Sequence, residues 1–484
     1  MNIKDVLSLQ SWADRINALK QVGGDRTKEA NRLYYDGTHP ILTDPDRLDV
    51  VVTLYEKDTT VASGKKEIGA KTVIKTRKVL NYPVQLIGTL ASFVFGSPPD
   101  LILNTNPATP EQTKAFQKIK DVWKKEARLD EHNKALLRTV SVETNAAELF
   151  FNDNPDEPKN GKLKVMLLSK ENGDDFWSFF NDSRDMEAFV RRFNKKIVEN
   201  GSVKEKTYEE IWTADRYFLI DVTDSAVKET PEKDTVNPYG KIPVIYYDQK
   251  KTEWWKIQNL INTMEKMESQ LSDVNTRVGH AAVKITGELI NMPDATQDVK
   301  VYQIKPTTGT DGKTLTGDVA YLESQTAPES VKLELDRTEE EIYKFTNIPD
   351  LYQIFMNDTN DSGKALKIRL FPVNIIIDEK KEIYAPGLDR RVSLLKTMLE
   401  KITGDNVYKD LDISVQFNDY IPEDVATTID NLMSANGNKP IIAHKKSVEM
   451  YSVNKDAEKE YVQIKTEIAE EAATGSTFGT GITE

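Results

Sequence analysis

Residues 252–278 read TEWWKIQNLINTMEKMESQLSDVNTRV. Within them Ile257, Leu260, Met264, Met267, Leu271, Val274 and Val278 recur in steps of three and four. That is the stripe of an amphipathic helix, and its heptad spacing suits a partner helix. At 1.5 Å per residue such a helix is roughly 35–40 Å long. Gly279 ends it, and short strand-like runs follow at Ala281–Thr286, Val299–Ile304 and Val319–Leu322, separated by Gly/Asp/Thr turns. A second helix opens at Thr326-Ala327-Pro328-Glu329, where a threonine three residues ahead of a glutamate can cap the first turn and proline sits inside it. Its apolar face is Val331, Leu335, Ile342 and Phe345, and it stops before Pro349. Two long helices with a small β unit between them predict a stalk carrying something at its tip.

Upstream, Leu7–Tyr35 reads as helices closed by the turn Tyr34-Tyr35-Asp36-Gly37. A polar stretch to about Ala70 leads to an expected helix over Thr72–Phe95, stopped by Gly96-Ser97-Pro98-Pro99. Helices are also expected over Pro110–Ala127 and Asp130–Asn145. From Ala146 the texture becomes β: Ala147–Phe151, Leu163–Leu168, Phe176–Phe180, Phe189–Phe193, Thr207–Thr213 and Tyr217–Val222 are aromatic or β-branched runs between Asn/Asp/Gly turns. Asn237-Pro238-Tyr239-Gly240 then turns the chain into a strand at Ile242–Tyr247. Downstream, Asn357-Asp358-Thr359-Asn360-Asp361-Ser362-Gly363 is a polar tip. A helical stretch from Lys364 to about Thr403 has kinks expected at Pro372 and Pro386-Gly387. Leu411–Phe417 reads as a strand, Pro422–Ser434 and Asp456–Ala473 as helices, and Thr474–Glu484 as a disordered tail. The fold class is therefore α+β.

Composition narrows the chemistry. The 484 residues hold 65 Lys+Arg against 78 Asp+Glu, a net charge of −13, which argues against a protein that grips nucleic acid through a basic surface. With no cysteine, disulfides, thiolate metal sites and cysteine nucleophiles are excluded. His39, His132, His280 and His444 lie too far apart in sequence for paired-ligand spacing, so no metal centre and no cofactor is expected. Met1–Lys20 is polar and lacks the apolar core of an export signal. The most apolar run, Val84–Gly96, is short of the ~20 residues that a membrane span needs. A reducing cytosol, or a particle assembled there, is the expected setting.

Recognisable catalytic frames are missing. Gly309-Thr310-Asp311-Gly312-Lys313-Thr314 ends like a phosphate loop, but the required upstream glycine is Thr307, and the stretch reads as a β-turn. Asp358, Asn360, Ser362 and Gly363 resemble the start of a calcium loop whose closing glutamate is instead Arg369. The Trp254-Trp255 pair could stack a ligand, but at a helix start it reads as packing. No catalytic residue is assigned.

The ordered series of punctuated elements resembles the portal proteins of tailed bacteriophages, in the branch typified by Gram-positive siphophages. The resemblance is carried by Tyr34-Tyr35-Asp36-Gly37; by Asn81-Tyr82-Pro83 through Phe95-Gly96-Ser97-Pro98; and by Gly240-Lys241-Ile242-Pro243-Val244. It continues in Leu271-Ser272-Asp273-Val274-Asn275, in Ser362-Gly363-Lys364-Ala365-Leu366-Lys367, and in Ile413–Phe417 followed by Ile421-Pro422-Glu423. Together these span roughly residues 30–470; Lys364 departs from the apolar residue common there.

The resemblance implies a ring, usually of twelve copies, at one capsid vertex of the virion, assembled in the host cytoplasm. Residues 1–251 would be the wing, 252–278 and 326–346 the stem helices, and 279–325 the clip that meets the terminase and later the head–tail adaptors. Residues 347–363 would be the tunnel loop, 364–421 a returning wing helix and strand, and 422–473 a helical crown, with 474–484 the disordered tail. Asn357, Asp358, Thr359, Asn360, Asp361 and Lys364 would face or flank double-stranded DNA that passes without sequence readout, and the stem residues named above would pack between helices. Major capsid and scaffolding proteins would be further partners, with no membrane. The rival readings are a helical scaffolding protein that oligomerises without being a portal, and an enzyme of unfamiliar fold.

Overall fold

The computed structural model describes residues 3–23, 28–58, 64–105, 107–199, 201–223, 227–278, 283–286, 288–291, 303–305, 307–308, 314–315, 318–321, 328–352, 368–418 and 457–475. The chain divides into two units, Met1–Asn357 with Leu370–Tyr420, and Asp358–Arg369 with Ile421–Glu484.

The first unit opens with α1 (Ile3–Leu7), α2 (Trp12–Gly23) and α3 (Lys28–Tyr35), closed by Gly37 at φ 98°, a left-handed conformation that glycine adopts without strain. The expected helix over Thr72–Phe95 is corrected. β1 (Val50–Asp58) and β2 (Gly64–Val73) form an antiparallel ribbon, residues 74–81 belong to no helix or strand, and α4 begins only at Tyr82, ending at Phe95. Pro83 explains the late start, because proline fits the first helical turn but would break a helix interior. α4 contains the most apolar run and is buried along much of its length. No helix among the described residues is long and apolar enough to cross a membrane.

β3 (Asp100–Leu103), α5 (Pro110–Asp121) and α6 (Leu129–Glu143) follow, α5 being capped by Thr109, whose hydroxyl accepts from Gln112 N while the Gln112 side chain accepts from Thr109 N. The β-rich region follows the predicted runs, with β4, β7 and β8 longer than expected and β10 an added strand: β4 (Asn145–Asn152), β5 (Leu163–Leu168), β6 (Asp175–Phe180), β7 (Met186–Glu199), β8 (Ser202–Thr213), β9 (Arg216–Asp221), β10 (Lys233–Val236) and β11 (Val244–Asp248). They form an antiparallel sheet in the order β10-β9-β8-β7-β6 and a smaller one in the order β11-β4-β5. Period-two alternation makes the larger sheet apolar on both faces. Trp177, Phe179, Val190 and Ile211 pack under Trp12, Ile16 and Leu19, while Phe176 and Phe189 pack against Leu149, Leu168 and Val244 of the smaller sheet.

α7 (Gln258–Val278) starts six residues later than expected, after a turn that buries Trp254 and Ile257. Among the described residues six short strands then pair as three antiparallel couples. β12 (Val283–Thr286) pairs with β17 (Asp318–Tyr321), β13 (Glu288–Asn291) with β14 (Gln303–Lys305), and β15 (Thr307–Thr308) with β16 (Thr314–Leu315). β15 and β16 flank the Gly-Lys-Thr stretch, whose residues 309–313 lie outside the described residues. α8 (Pro328–Thr346) returns and packs on α7. α9 (Phe371–Thr403) is one continuous helix: Pro372 lies in its first turn, where it starts the helix, and Pro386 lies inside it. β18 (Ile413–Gln416) pairs with β3. In the second unit the described helix is α10 (Ala457–Gly475), close to the expected Asp456–Ala473. The expected helix Pro422–Ser434 and the tail 476–484 lie outside the described residues.

Candidate functional site

The element that decides the sequence reading, α7, is held by polar chemistry that its apolar stripe does not announce. Glu265, Ser269 and Asp273 are spaced by four and so share one helix face. Along that face runs the segment 74–81 as a strap, its alternate amides at Thr76, Lys78 and Leu80 all turned to the helix. Leu80 N donates to Glu265 Oε1, Lys78 N to Ser269 Oγ and Thr76 N to Asp273 Oδ1, each at 2.9 Å. Alternate residues of an extended chain point their N–H groups the same way, so every second amide meets every fourth helix side chain. Glu265 and Ser269 are fully buried. Without these acceptors the strap's amides would lack protein partners, a loss of ~1–3 kcal/mol for each that is buried.

Both ends of the strap are reinforced. At one end Arg47 donates to Asp273 Oδ2 at 2.6 Å and to Thr76 O at 2.5 Å, and Lys266 pairs with Asp44 at 2.6 Å. Burial alone would raise the pKa of Asp273, but the bonds from Thr76 and Arg47 outweigh it and hold the carboxyl below its ordinary range. At the other end buried His39 sets Nδ1 2.5 Å from Glu265 Oε1 and Nε2 2.9 Å from Tyr34 O, with the Tyr34 ring stacked on the imidazole at 4.0 Å. Tyr34 also stacks on Trp254 at 5.8 Å and donates its hydroxyl to Asn262 at 3.2 Å. Trp254 is therefore packing, whereas Trp255 stays 52% exposed. Tyr82 ties α4 to both long helices, approaching Met264 Sδ at 3.5 Å and Glu339 at 3.3 Å.

The predicted packing residues distribute unevenly. Within the chain Met264 is buried on α7, together with Ile261, which lies off the heptad stripe, and Ile257 is buried in the turn that precedes the helix. Leu260, Met267, Leu271 and Val274 are half-buried, and the side chain of Val278 lies outside the described residues. On α8, Leu335 and Ile342 are buried and Val331 is half-buried, but Phe345 is 47% exposed and Leu333 69%. Phe345 therefore does not share the buried intrachain face of Leu335 and Ile342. The predicted channel residues Asn357, Asp358, Thr359, Asn360, Asp361 and Lys364 all lie outside the described residues.

Two buried ion-pair clasps, silent in the sequence, fasten α9. Fully buried Arg391 donates Nε to Glu148 Oε2 at 2.8 Å, pairs its Nη2 with Glu148 Oε1, and donates Nη1 to Asn133 at 2.5 Å. Tyr247 donates to the same carboxylate at 3.0 Å, and His132 Nε2 lies 2.8 Å from it. Burial would push Glu148 up, yet the charge of Arg391 and the bonds from His132 and Arg391 bring it down to about 2. One turn earlier Gly387 lets the helix lie against Tyr247, because a Cβ there would sit 2.2 Å from the ring. Farther along, Lys380 pairs with Glu253 and donates to Gln249 at 3.0 Å, tying α9 to the turn that precedes α7. These carboxylates are held by cations and packed rings, an arrangement for rigidity. Among the described residues no group of three His, Cys, Asp or Glu could hold a metal ion.

No curated protein matches the chain. Among solved structures, one from the virion of a native gene transfer agent (GTA) particle shares 11% identity, covering 76% of this chain and 89% of that one, at a TM-score of 0.35. Another, from the neck of an empty GTA particle computed with C6 symmetry, shares 10% identity over 76% and 88%, at 0.40. A third, from the neck of a native GTA particle computed with C12 symmetry, shares 11% over 77% and 91%, at 0.37. Likeness this remote carries no inference about how the present chain assembles. The family model described as phage portal protein, SPP1 Gp6-like, in contrast matches residues 25–474, nearly the whole sequence. Its span takes in the strap, both long helices and both clasps, and on that match the chain belongs to the SPP1 Gp6-like family of phage portal proteins.

Proposed function

We propose that this chain is one subunit of a closed ring, of twelve copies, at a capsid vertex, through which a separate terminase ATPase drives double-stranded DNA inward and through which the genome later leaves. The single observation that carries this reading is the family match over residues 25–474. On it, α7 and α8 are stem helices, 279–325 is the clip for terminase and head–tail adaptors, and 1–251 is the wing. Residues 347–363 are the tunnel loop, 364–421 a returning wing helix and strand, and 422–473 the crown. The role is structural, with no catalytic step assigned to this chain.

Two features support it. Leu260, Met267, Leu271 and Val274 are only half-buried, and Leu333 and Phe345 are exposed, so apolar surface on both long helices is left for a neighbour. A heterologous contact repeated around an axis closes a ring and covers such surface. In addition, α8 presents exposed Glu329, Glu334, Asp336 and Glu340 interleaved with exposed Lys332, Arg337 and Lys344, a mild acidic excess in keeping with the net charge of −13. A bore lined by carboxylates repels phosphates, whereas six to ten phosphate contacts would hold DNA with a salt sensitivity of roughly 10³–10⁵ between 50 and 200 mM. Negative-stain imaging of the purified protein, concentrated or inside procapsids, tests the reading. Hollow rings are expected, whereas small solid dimers would favour a scaffolding protein and sink the portal assignment. Deleting residues 357–361 should leave rings intact and cripple packaging or DNA retention; normal packaging would remove the channel role from that segment.

A further inference from the structure

The β7–β8 hairpin outgrows its sheet. β6 pairs with β7 only as far as Arg192, and β9 pairs with β8 only from Tyr208. From Phe193 to Glu199 and from Ser202 to Lys206 the two strands pair with nothing but each other among the described residues, Thr207 already bonding to Val222 and Thr223. A lone two-stranded ribbon is marginal in water, and this one carries two further liabilities. Lys195 stands directly opposite Lys206, a like-charge cross-strand pair, and Val198 opposite Val203 forms an apolar tip, 74% and 68% exposed. Lys204 and Lys206 share one carboxylate, Glu199, while exposed Lys195 and Lys196 make no ion pair among the described residues. Four lysines against Glu199 and Glu205 leave the ribbon at +2 on a chain of −13, so the rest of the chain carries −15.

We infer that this ribbon is an arm that seats on the acidic body of a second copy of the chain. Charge selects the mode. An arm-on-arm dimer would oppose lysine to lysine, whereas basic arm on acidic body is attractive and head-to-tail, the heterologous geometry that propagates around a ring. The partner surface neutralises Lys195 and Lys196 and covers Val198 and Val203, relieving both liabilities together. The inference rests on the ring reading above and names one contact that holds the ring.

The absence of native cysteine makes the test clean. Val198→Cys, with Lys159→Cys in an exposed turn as reference, is labelled with a maleimide in assembled rings and in dispersed subunits. The expected result is at least tenfold slower labelling of V198C in rings, with K159C unchanged. K195Q/K196Q, which removes both charges from exposed side chains without setting a glutamate opposite Glu205, should keep its circular dichroism and need severalfold more protein to form rings, with the deficit shrinking at high salt. Equal V198C labelling in rings and subunits overturns the arm and leaves the ring reading standing. Protection that appears only when another capsid protein is added also overturns it, since the occupant is then a different chain. Wild-type protein that forms no ring at any concentration removes the ring reading and the arm with it.

Discussion

Truncating Asp273 to alanine tests whether the strap is held by the face of α7. The change removes the acceptor for Thr76 N and the partner of Arg47, whose side chain is only 8% exposed. Breaking a buried pair from one side costs about 3–5 kcal/mol, and the residual exposure here places the loss near the lower end. Ser269→Ala removes one neutral bond, to Lys78 N, and should cost about 1 kcal/mol. A chain of two units need not unfold in one step, so the readout should be local. Hydrogen–deuterium exchange of residues 74–81 reports the opening of the strap. A loss of about 3 kcal/mol corresponds to exchange roughly 10²-fold faster in D273A, against about fivefold in S269A. Arg47→Met in the D273A background should recover part of the loss, because the stranded guanidinium is gone. Exchange over 74–81 that stays within threefold of wild type in D273A would refute the reasoning.

Further tests address the clasps on α9. Glu148 has its folded pKa depressed to about 2 from 4.5, so its stabilisation is complete above pH 4.5 and is lost as pH falls towards 2. The amount is on the order of 3 kcal/mol. The melting-temperature gap between wild type and Glu148→Gln should therefore narrow between pH 4.5 and 2.5, and a constant gap would count against the clasp. Gly387→Ala drives a methyl group into the buried Tyr247 ring and should destabilise by about 1–3 kcal/mol in denaturant titrations, with an unchanged midpoint contradicting the close approach. Lys380→Met strands Glu253 and should cost about 3–5 kcal/mol, much of it recovered in K380M/E253M, where neither charge is buried alone. Calorimetry of both variants decides this, and equal stability of the two would show that the pair is inert.

The parts of the fold legible in the sequence are those whose signal is local. The long helices, the β runs from Asn145 to Asp248 and the strand at Ile413 announce themselves through period and punctuation over a dozen residues. The β1–β2 ribbon is hidden because the stretch up to about Ala70 reads as polar and without elements, and the helix expected from Thr72 takes in only its last two residues, ahead of the proline that marks the true start of α4. β3 is a four-residue strand whose partner, β18, lies some three hundred residues away, so nothing nearby specifies it. The candidate site was half visible. Asp273 belongs to the Ser-Asp-x-Asn stretch, but its role requires Arg47 and Thr76, far upstream. A scan for apolar periodicity passes over Glu265 and Ser269, since the face they bury is polar and its partner is backbone. Arg391 and Glu148 are separated by 243 positions and carry no local mark.

The rungs between strap and helix have a geometric limit. Four residues of α-helix advance about 6.0 Å, and two residues of extended chain about 6.6 Å. The two act as scales with unequal graduations, like a vernier: adjacent marks coincide, and each further mark slips by about 0.6 Å. Three coincidences, at 265, 269 and 273, keep every bond at 2.9 Å; a longer run would soon fall out of reach. One residue inserted into the strap between Thr76 and Leu80 would turn part of its amides to the opposite side and bring the graduations out of step. Length here is fixed residue by residue, and the segment would tolerate substitution of its side chains far better than any change in their number.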